Sequence, residues 1–142
     1  MGELVQSDSP YATRKLGERL GQLVQPPQVI ALYGELGAGK TCLAQGIALG
    51  MGIKQRVTSP TYPLIQEYPD PHLLVHVDCY RLSVEEDAVN IGLAEILSQS
   101  AVVLVEWPER IERLLPASCL AIHMEIVNET TRLFSIKSDM PG

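Results

Sequence analysis

The first stretch of helical spacing along the chain begins at Tyr11, where Leu16, Leu20 and Leu23 fall on one face. Ser9 before Pro10 reads as an N-cap followed by proline at the first helical position, and Pro26-Pro27 ends the helix. Ahead of it, Leu4-Val5 reads as a short edge strand closed by Ser7-Asp8-Ser9-Pro10. Gln28 to Tyr33 reads as a buried strand and Thr41 to Leu49 as a helix, with Gly50-Met51-Gly52 closing it. Val57 to Pro63 is rich in hydroxyls, carries two prolines and reads as an ordered surface loop. Leu64 to Tyr68 and Leu73 to Asp78 read as strands around the turn Pro69-Asp70-Pro71-His72. Ser83 to Glu86 has the capping-box pattern of a helix start, and a second short helix follows Gly92 through Leu93 and Ile96. Ala101 to Val105 is apolar at every position, as expected of a strand covered on both faces. Leu120 to Val127 and Arg132 to Ile136 flank polar Asn128-Glu129-Thr130-Thr131 and read as a closing antiparallel hairpin. The pattern predicts one α/β domain over residues 1–142, three layers around a central mixed sheet with parallel core strands.

Composition narrows the partners more than the fold. A net charge of −6 gives no bulk attraction to phosphate backbones, which disfavours direct, tight nucleic-acid binding. Cys42, Cys79 and Cys119 are an odd, scattered set without a CxxC pair, as expected of reduced thiols in a cytoplasmic protein. The opening Met-Gly-Glu-Leu-Val-Gln-Ser has neither a basic flank nor an apolar stretch, and no run approaches ~18 apolar residues, so neither a leader nor a membrane span is expected.

Between the buried strand and its helix lies Gly34-Glu35-Leu36-Gly37-Ala38-Gly39-Lys40-Thr41, which spells the phosphate-binding P-loop, G-x-x-x-x-G-K-[ST]. Its glycines let successive backbone N–H groups turn inward around phosphate oxygens, and the following helix N-terminus favours anions. Lys40 is expected to neutralise the terminal phosphates and the Thr41 hydroxyl to ligate magnesium. The motif predicts binding of a nucleoside triphosphate in a P-loop NTPase-like domain.

Hydrolysis needs further groups, and two acids sit at strand ends, Asp78 and Glu106. If both strands run parallel to the P-loop strand, both carboxylates face the magnesium site, one to hold the ion and the other to orient the attacking water. Thr58, Ser59 and Thr61 lie in the loop after the P-loop helix, either as a switch that senses the terminal phosphate or as an ordinary connection. Strand alternation puts His76, Asp78 and Tyr80 on one face and Val75, Val77 and Cys79 on the other, so a zinc site from His76 and Cys79 is disfavoured. His76 reads as a satisfied buried histidine. Arg81 is a phosphate or partner contact or a surface ion pair, and Trp107 a cover for the site, a contact surface or core filling. Cys42 reads as a small buried residue.

The P-loop, Ser59-Pro60-Thr61-Tyr62, His76-Val77-Asp78-Cys79-Tyr80-Arg81-Leu82 and Val105-Glu106-Trp107-Pro108, in that order, resemble the TsaE (YjeE) family over nearly the whole chain, Ala12 to Arg132. Cys42 stands where that family often has threonine, and Tyr62 where phenylalanine is common; neither change removes a phosphate or metal ligand. The resemblance implies an ATP-hydrolysing, magnesium-dependent protein of bacterial tRNA threonylcarbamoyladenosine (t6A37) formation. It would act with the TsaB–TsaD transferase pair and meet tRNA only indirectly. It further implies nucleotide contacts from Thr13, Glu35, Gly37, Ala38, Gly39, Lys40, Thr41, Cys42 and Arg132, with Thr41 and Glu106 on the metal. Asp78 would make a water-mediated metal contact or activate water, and Tyr80, Arg81 and Trp107 would be activity-critical or partner-facing.

Two other uses of a P-loop are weighed against this. A small-molecule kinase usually carries an arginine-rich lid, whereas arginines after the P-loop are sparse: Arg56, Arg81, Arg110, Arg113 and Arg132. A GTPase needs [NT]-K-x-D, and the nearest run, Ile136-Lys137-Ser138-Asp139, lacks the first residue.

Overall fold

A computed structural model of the chain describes residues 2–35, 37–58, 65–80 and 92–138. Its strands are β1 (Gly2–Ser7), β2 (Gln28–Tyr33), β3 (Ile65–Tyr68), β4 (Leu74–Asp78), β5 (Val102–Glu106), β6 (Leu120–Ile126) and β7 (Arg132–Ser138). The helices are α1 (Pro10–Leu23), α2 (Lys40–Gly50) and α3 (Leu93–Leu97), with a 3₁₀ segment over Pro108–Leu114. Among the described residues the strands form one sheet in the order β1-β7-β6-β2-β5-β4-β3.

The four central strands are parallel: β2 pairs with β5 and β6, and β4 with β5. Antiparallel strands close both sides, β6–β7–β1 at one and β4–β3 at the other. One sheet face, with Ile30, Leu32, Leu74 and Leu104, packs under α1 and α2. The opposite face, with Ala31, Val75, Val77, Val103 and Val105, is covered by Leu93 of α3 and Ile111 of the 3₁₀ segment. This is the three-layer α/β arrangement expected, with the C-terminal hairpin antiparallel as read from the sequence. Every residue of β5 is buried, in keeping with its unbroken apolar run.

The structure revises three local expectations. β1 extends well beyond Leu4-Val5, because pairing with β7 from Gly2↔Lys137 to Ser7↔Arg132 gives the edge segment a full ladder. Of the leucine face of α1, Leu16 and Leu20 are half-buried and pack against the core while Leu23 is 78% exposed; the fully buried stripe is Thr13, Gly17 and Gly21. Small residues win here because α1 lies directly on α2, backbone to backbone. A Cβ on Gly21 would stand 2.1 Å from the Ile47 carbonyl oxygen, and one on Gly50 would stand 2.0 Å from that of Glu18. The 3₁₀ segment was not foreseen; it is interrupted at Ile111 (φ −137°), which leaves no helical period to detect. The helix expected from Ser83 lies outside the described residues. By contrast, the Ser9 cap forms as expected, with its Oγ accepting from the Ala12 N–H at 3.0 Å. Among the described residues no helix is long and apolar enough to cross a membrane.

Candidate nucleotide site

The glycine-rich loop leaves β2 at the carboxyl end of the parallel strands, where ligands of open α/β sheets bind. Gly37 (φ +85°) and Gly39 (φ +101°) hold left-handed backbone that residues with a Cβ resist, and Gly39 caps α2. The turn thereby delivers Lys40 and Thr41 to the first turn of α2.

A cavity of about 350 Å³ opens there, lined by Gly37, Gly39, Lys40, Thr41, Cys42, Asp78, Tyr80, Glu106 and Trp107. Gly37, Gly39, Lys40, Thr41, Asp78 and Glu106 were expected from the residues to face this site, whereas Cys42 came in by the resemblance alone and Tyr80 and Trp107 as activity-critical or partner-facing. Asp78 and Glu106 arrive together because β4 and β5 are parallel and in register, Asp78 opposite Glu106, with Leu32 of β2 on the other side. The condition set on the two acids, strands parallel to β2, therefore holds. A second cavity of about 180 Å³ adjoins the first across Gly37, Gly39 and Cys42. Thr13, Ala38, Glu129, Thr130 and Arg132 line it. Thr13 is 2% exposed, and its Oγ1 lies 2.7 Å from Ser7 Oγ, which itself donates to the Ser9 carbonyl. Arg132 donates from Nη2 to the Gly37 carbonyl (3.1 Å) and from Nη1 to that of Asn128 (2.7 Å), tying β7 to the glycine-rich loop. Glu35 is exposed on the loop's other flank, beside Glu109 in a separate cleft that also reaches Tyr80 and Trp107.

Lys40 is 6% exposed, donates to the Gly34 carbonyl at 2.8 Å, and sits 3.8 Å over the Trp107 ring. Burial pushes its ammonium below the usual lysine range, while Glu106, Glu109 and Asp78 hold it up in part. Trp107 takes φ +58°, the single non-glycine positive φ among the described residues, a conformation costing about 1–3 kcal/mol for a bulky side chain. That strain turns the indole onto Lys40 and Tyr80, whose ring lies 4.8 Å away, tilted 55°. Asp78 Oδ1 accepts from the Tyr80 N–H at 2.9 Å, which fixes the turn leaving β4.

Two expectations need correcting. His76 is buried but only half satisfied: Nε2 lies 2.5 Å from Glu106 Oε2, and Nδ1 has no hydrogen-bond partner. Cys42 is half-buried and lines both cavities rather than filling core. Thr58 is exposed and does not line either cavity; its neighbour Val57 is tethered by Gln45 Nε2 donating to its carbonyl at 3.0 Å. Ser59, Thr61 and Arg81 lie outside the described residues. Sequence reasoning missed Glu109, whose charge reaches Lys40, and Glu129 and Thr130 at the smaller cavity. The acid following Glu106-Trp107-Pro108 was the available signal for Glu109; the polar turn before Arg132 gave none beyond its polarity. A more spacious cleft, about 700 Å³, lies under the far end of α2 and gathers Arg14, Lys54 and Arg56 without a carboxylate among its described lining residues. The chemistry-bearing residues converge elsewhere, at the glycine-rich loop.

The cysteines report on this geometry. Burial pushes the Cys79 thiol up to about 12, so it stays protonated and inert at neutral and mildly alkaline pH. Alkylation of the folded chain at pH 8 is expected to label Cys42 and spare buried Cys79 and Cys119, and saturating nucleotide is expected to slow Cys42 labelling about tenfold or more. Peptide mapping that found Cys79 labelled as fast as Cys42 would contradict the fold around β4.

Comparison with known proteins agrees with the geometry. Residues 7–134 match the family model of "Threonylcarbamoyl adenosine biosynthesis protein TsaE". The chain is 36% identical over 130 residues to the tRNA threonylcarbamoyladenosine biosynthesis protein TsaE of Treponema pallidum (strain Nichols), covering 92% of this chain and 96% of that one. It is 38% identical over 125 residues to the protein of the same name from Bacillus subtilis (strain 168), covering 87% and 78%. The crystal structure of Bacillus subtilis YdiB superposes with a TM-score of 0.82 at 29% identity, over 99% of this chain and 87% of that one. With the match spanning almost every element that builds the two cavities, the chain belongs to the TsaE family of tRNA threonylcarbamoyladenosine biosynthesis.

Proposed function

We propose that the chain binds ATP with magnesium at the glycine-rich loop and hydrolyses it, in the service of the TsaB–TsaD pair that modifies tRNA. One observation carries this reading: a lysine, a threonine hydroxyl and two strand-end carboxylates meet in a single cavity at the carboxyl end of the parallel sheet. The charge balance of that cavity also favours a divalent cation. Lys40 already faces Glu106, Glu109 and Asp78, so a triphosphate brought beside them without a cation would add negative charge to negative charge. The oxygen donors Thr41, Asp78 and Glu106 suit magnesium, a hard ion that keeps several waters and shares its shell with phosphates. Bound magnesium would supply neutralisation of the phosphate oxygens.

The residues divide the remaining work. The N–H groups of the loop and the α2 N-terminus bind phosphate oxygens, and Lys40 is drawn off the Gly34 carbonyl towards them. Thr41 and Glu106 hold the metal position. Asp78 orients a water in line with the γ-phosphorus and accepts its proton; the water oxygen bonds to that phosphorus as the bridge to the β-phosphate breaks, giving ADP and phosphate. Arg132 and Thr13 border the smaller cavity, which has the place for ribose or base. Tyr80, 46% exposed beside Trp107, offers the mouth of the site to a partner protein.

The test is a pair of acid variants. Asp78→Ala is expected to retain much of the nucleotide binding and Glu106→Ala to retain its magnesium-independent part, while kcat falls in both by roughly 10²-fold or more. Full turnover in both would remove these carboxylates from the mechanism.

A further inference from the structure

The contact between His76 and Glu106 is asymmetric, and the asymmetry is informative. His76 lies on β4, two residues before Asp78, and its ring is wholly enclosed (0% exposed). Glu106 ends the neighbouring strand and is 5% exposed. Nε2 meets Glu106 Oε2 at 2.5 Å, while Nδ1 is buried without a partner. A proton on Nδ1 would leave a buried donor unsatisfied and set the Nε2 lone pair against a carboxylate oxygen. With the proton on Nε2, the N–H donates to Oε2 and only a lone pair is left orphaned at Nδ1.

We infer that His76 is a positioning residue for Glu106: its Nε2–H engages Oε2 and fixes the plane of the carboxylate, reserving Oε1 for the magnesium position in the cavity. The histidine takes Oε2, and Glu106 lines the cavity. A glutamate carboxylate at the end of a strand otherwise rotates about three side-chain bonds, and a metal contact made through it would have to stop that rotation each time. The enclosed imidazole stops it beforehand, because the ring is clamped within the core of the sheet face under α2 and has no room to turn. A buried histidine needs one partner for its N–H; that this partner is a carboxylate lining the cavity couples the ring to the site. An acid serving only as a strand-end polar group would not need a dedicated donor from the adjacent strand. This inference rests on the nucleotide and metal reading given above.

The test separates metal positioning from mere packing. Affinity of the full chain for a fluorescent ADP is measured with magnesium and with excess chelator, and the ratio of the two isolates the metal's contribution. His76→Gln, whose amide N–H reaches the place of Nε2, is expected to keep that ratio within about threefold. His76→Leu is expected to lower it about tenfold or more, the usual scale for losing a group that orients a metal ligand, while chelator affinity stays unchanged. A folded His76→Leu with an unchanged ratio, or equal losses in both variants, would overturn the inference. Should His76→Leu not fold, imidazole ¹⁵N–¹H correlation spectra of the wild-type chain decide. A proton on Nε2 with a bare Nδ1 supports the donor role, and a ring protonated on Nδ1 instead overturns it. A wild-type chain whose ADP affinity ignores magnesium would sink the metal reading itself, and this inference with it.

Discussion

Lys40→Ala is expected to abolish turnover and to weaken nucleotide binding by 1.5–3 kcal/mol, on the order of 10- to 150-fold in affinity. The ammonium is almost fully buried, held by one carbonyl and the face of Trp107, and surrounded by three acids. It is the single cation lining the larger cavity among the described residues, so its loss leaves phosphate oxygens facing carboxylates. The free protein should tolerate the change well. Burial already disfavours the charged amine, so its removal relieves desolvation as it removes contacts. Thermal melts are therefore expected to show nearly unchanged stability without ligand and a much smaller rise than wild type on adding millimolar ADP and magnesium. A ligand-induced rise as large as that of wild type would contradict the placement of phosphate at this lysine.

The second large effect is on the fold. Gly21→Ala and Gly50→Ala are each expected to destabilise by about 3 kcal/mol, lowering the melting temperature by roughly 10 °C. Both glycines are helical, and on an exposed helix the same change stabilises by about 1 kcal/mol, so the sign itself is diagnostic. The added methyl would press on backbone carbonyl oxygens of the opposite helix, at 2.1 Å for Gly21 and 2.0 Å for Gly50, which no side-chain rotation relieves. Gly17 and Gly46 face the same contact from the other end, at 2.5 Å from the Leu43 carbonyl oxygen and 2.2 Å from that of Arg14. The helices would have to separate, and α2 carries Lys40 and Thr41 while α1 carries Thr13. Nucleotide affinity is therefore expected to fall along with stability. Denaturation curves showing either variant as stable as wild type would refute the backbone-to-backbone packing of α1 on α2.

What could be read in advance follows the range of the interactions. β5 and the closing hairpin are written in local patterns, an unbroken apolar run and two runs around a polar turn, and both formed as expected. The glycine-rich loop is also local, since its function depends on the spacing of eight consecutive residues. The convergence of Asp78 and Glu106 needed one topological condition, parallel strands, which the sheet order supplies. On α1 the leucine spacing found only part of the contact, Leu16 and Leu20; the stripe on α2 is set by how closely two backbones approach, which hydrophobic periodicity does not register. The pairing of His76 with Glu106 and the strained turn at Trp107 are tertiary: they join residues 30 apart, or store cost at one φ angle. No local pattern encodes either.

The most direct measurement is magnesium-dependent ATP hydrolysis by the purified chain, alone and with the TsaB–TsaD pair of the same organism. A low basal rate, raised at least tenfold by the pair and absent with chelator or in Lys40→Ala, is the expected result. Hydrolysis that ignores the pair and rises instead with an added small-molecule phosphate acceptor would contradict the assignment and make the chain a kinase.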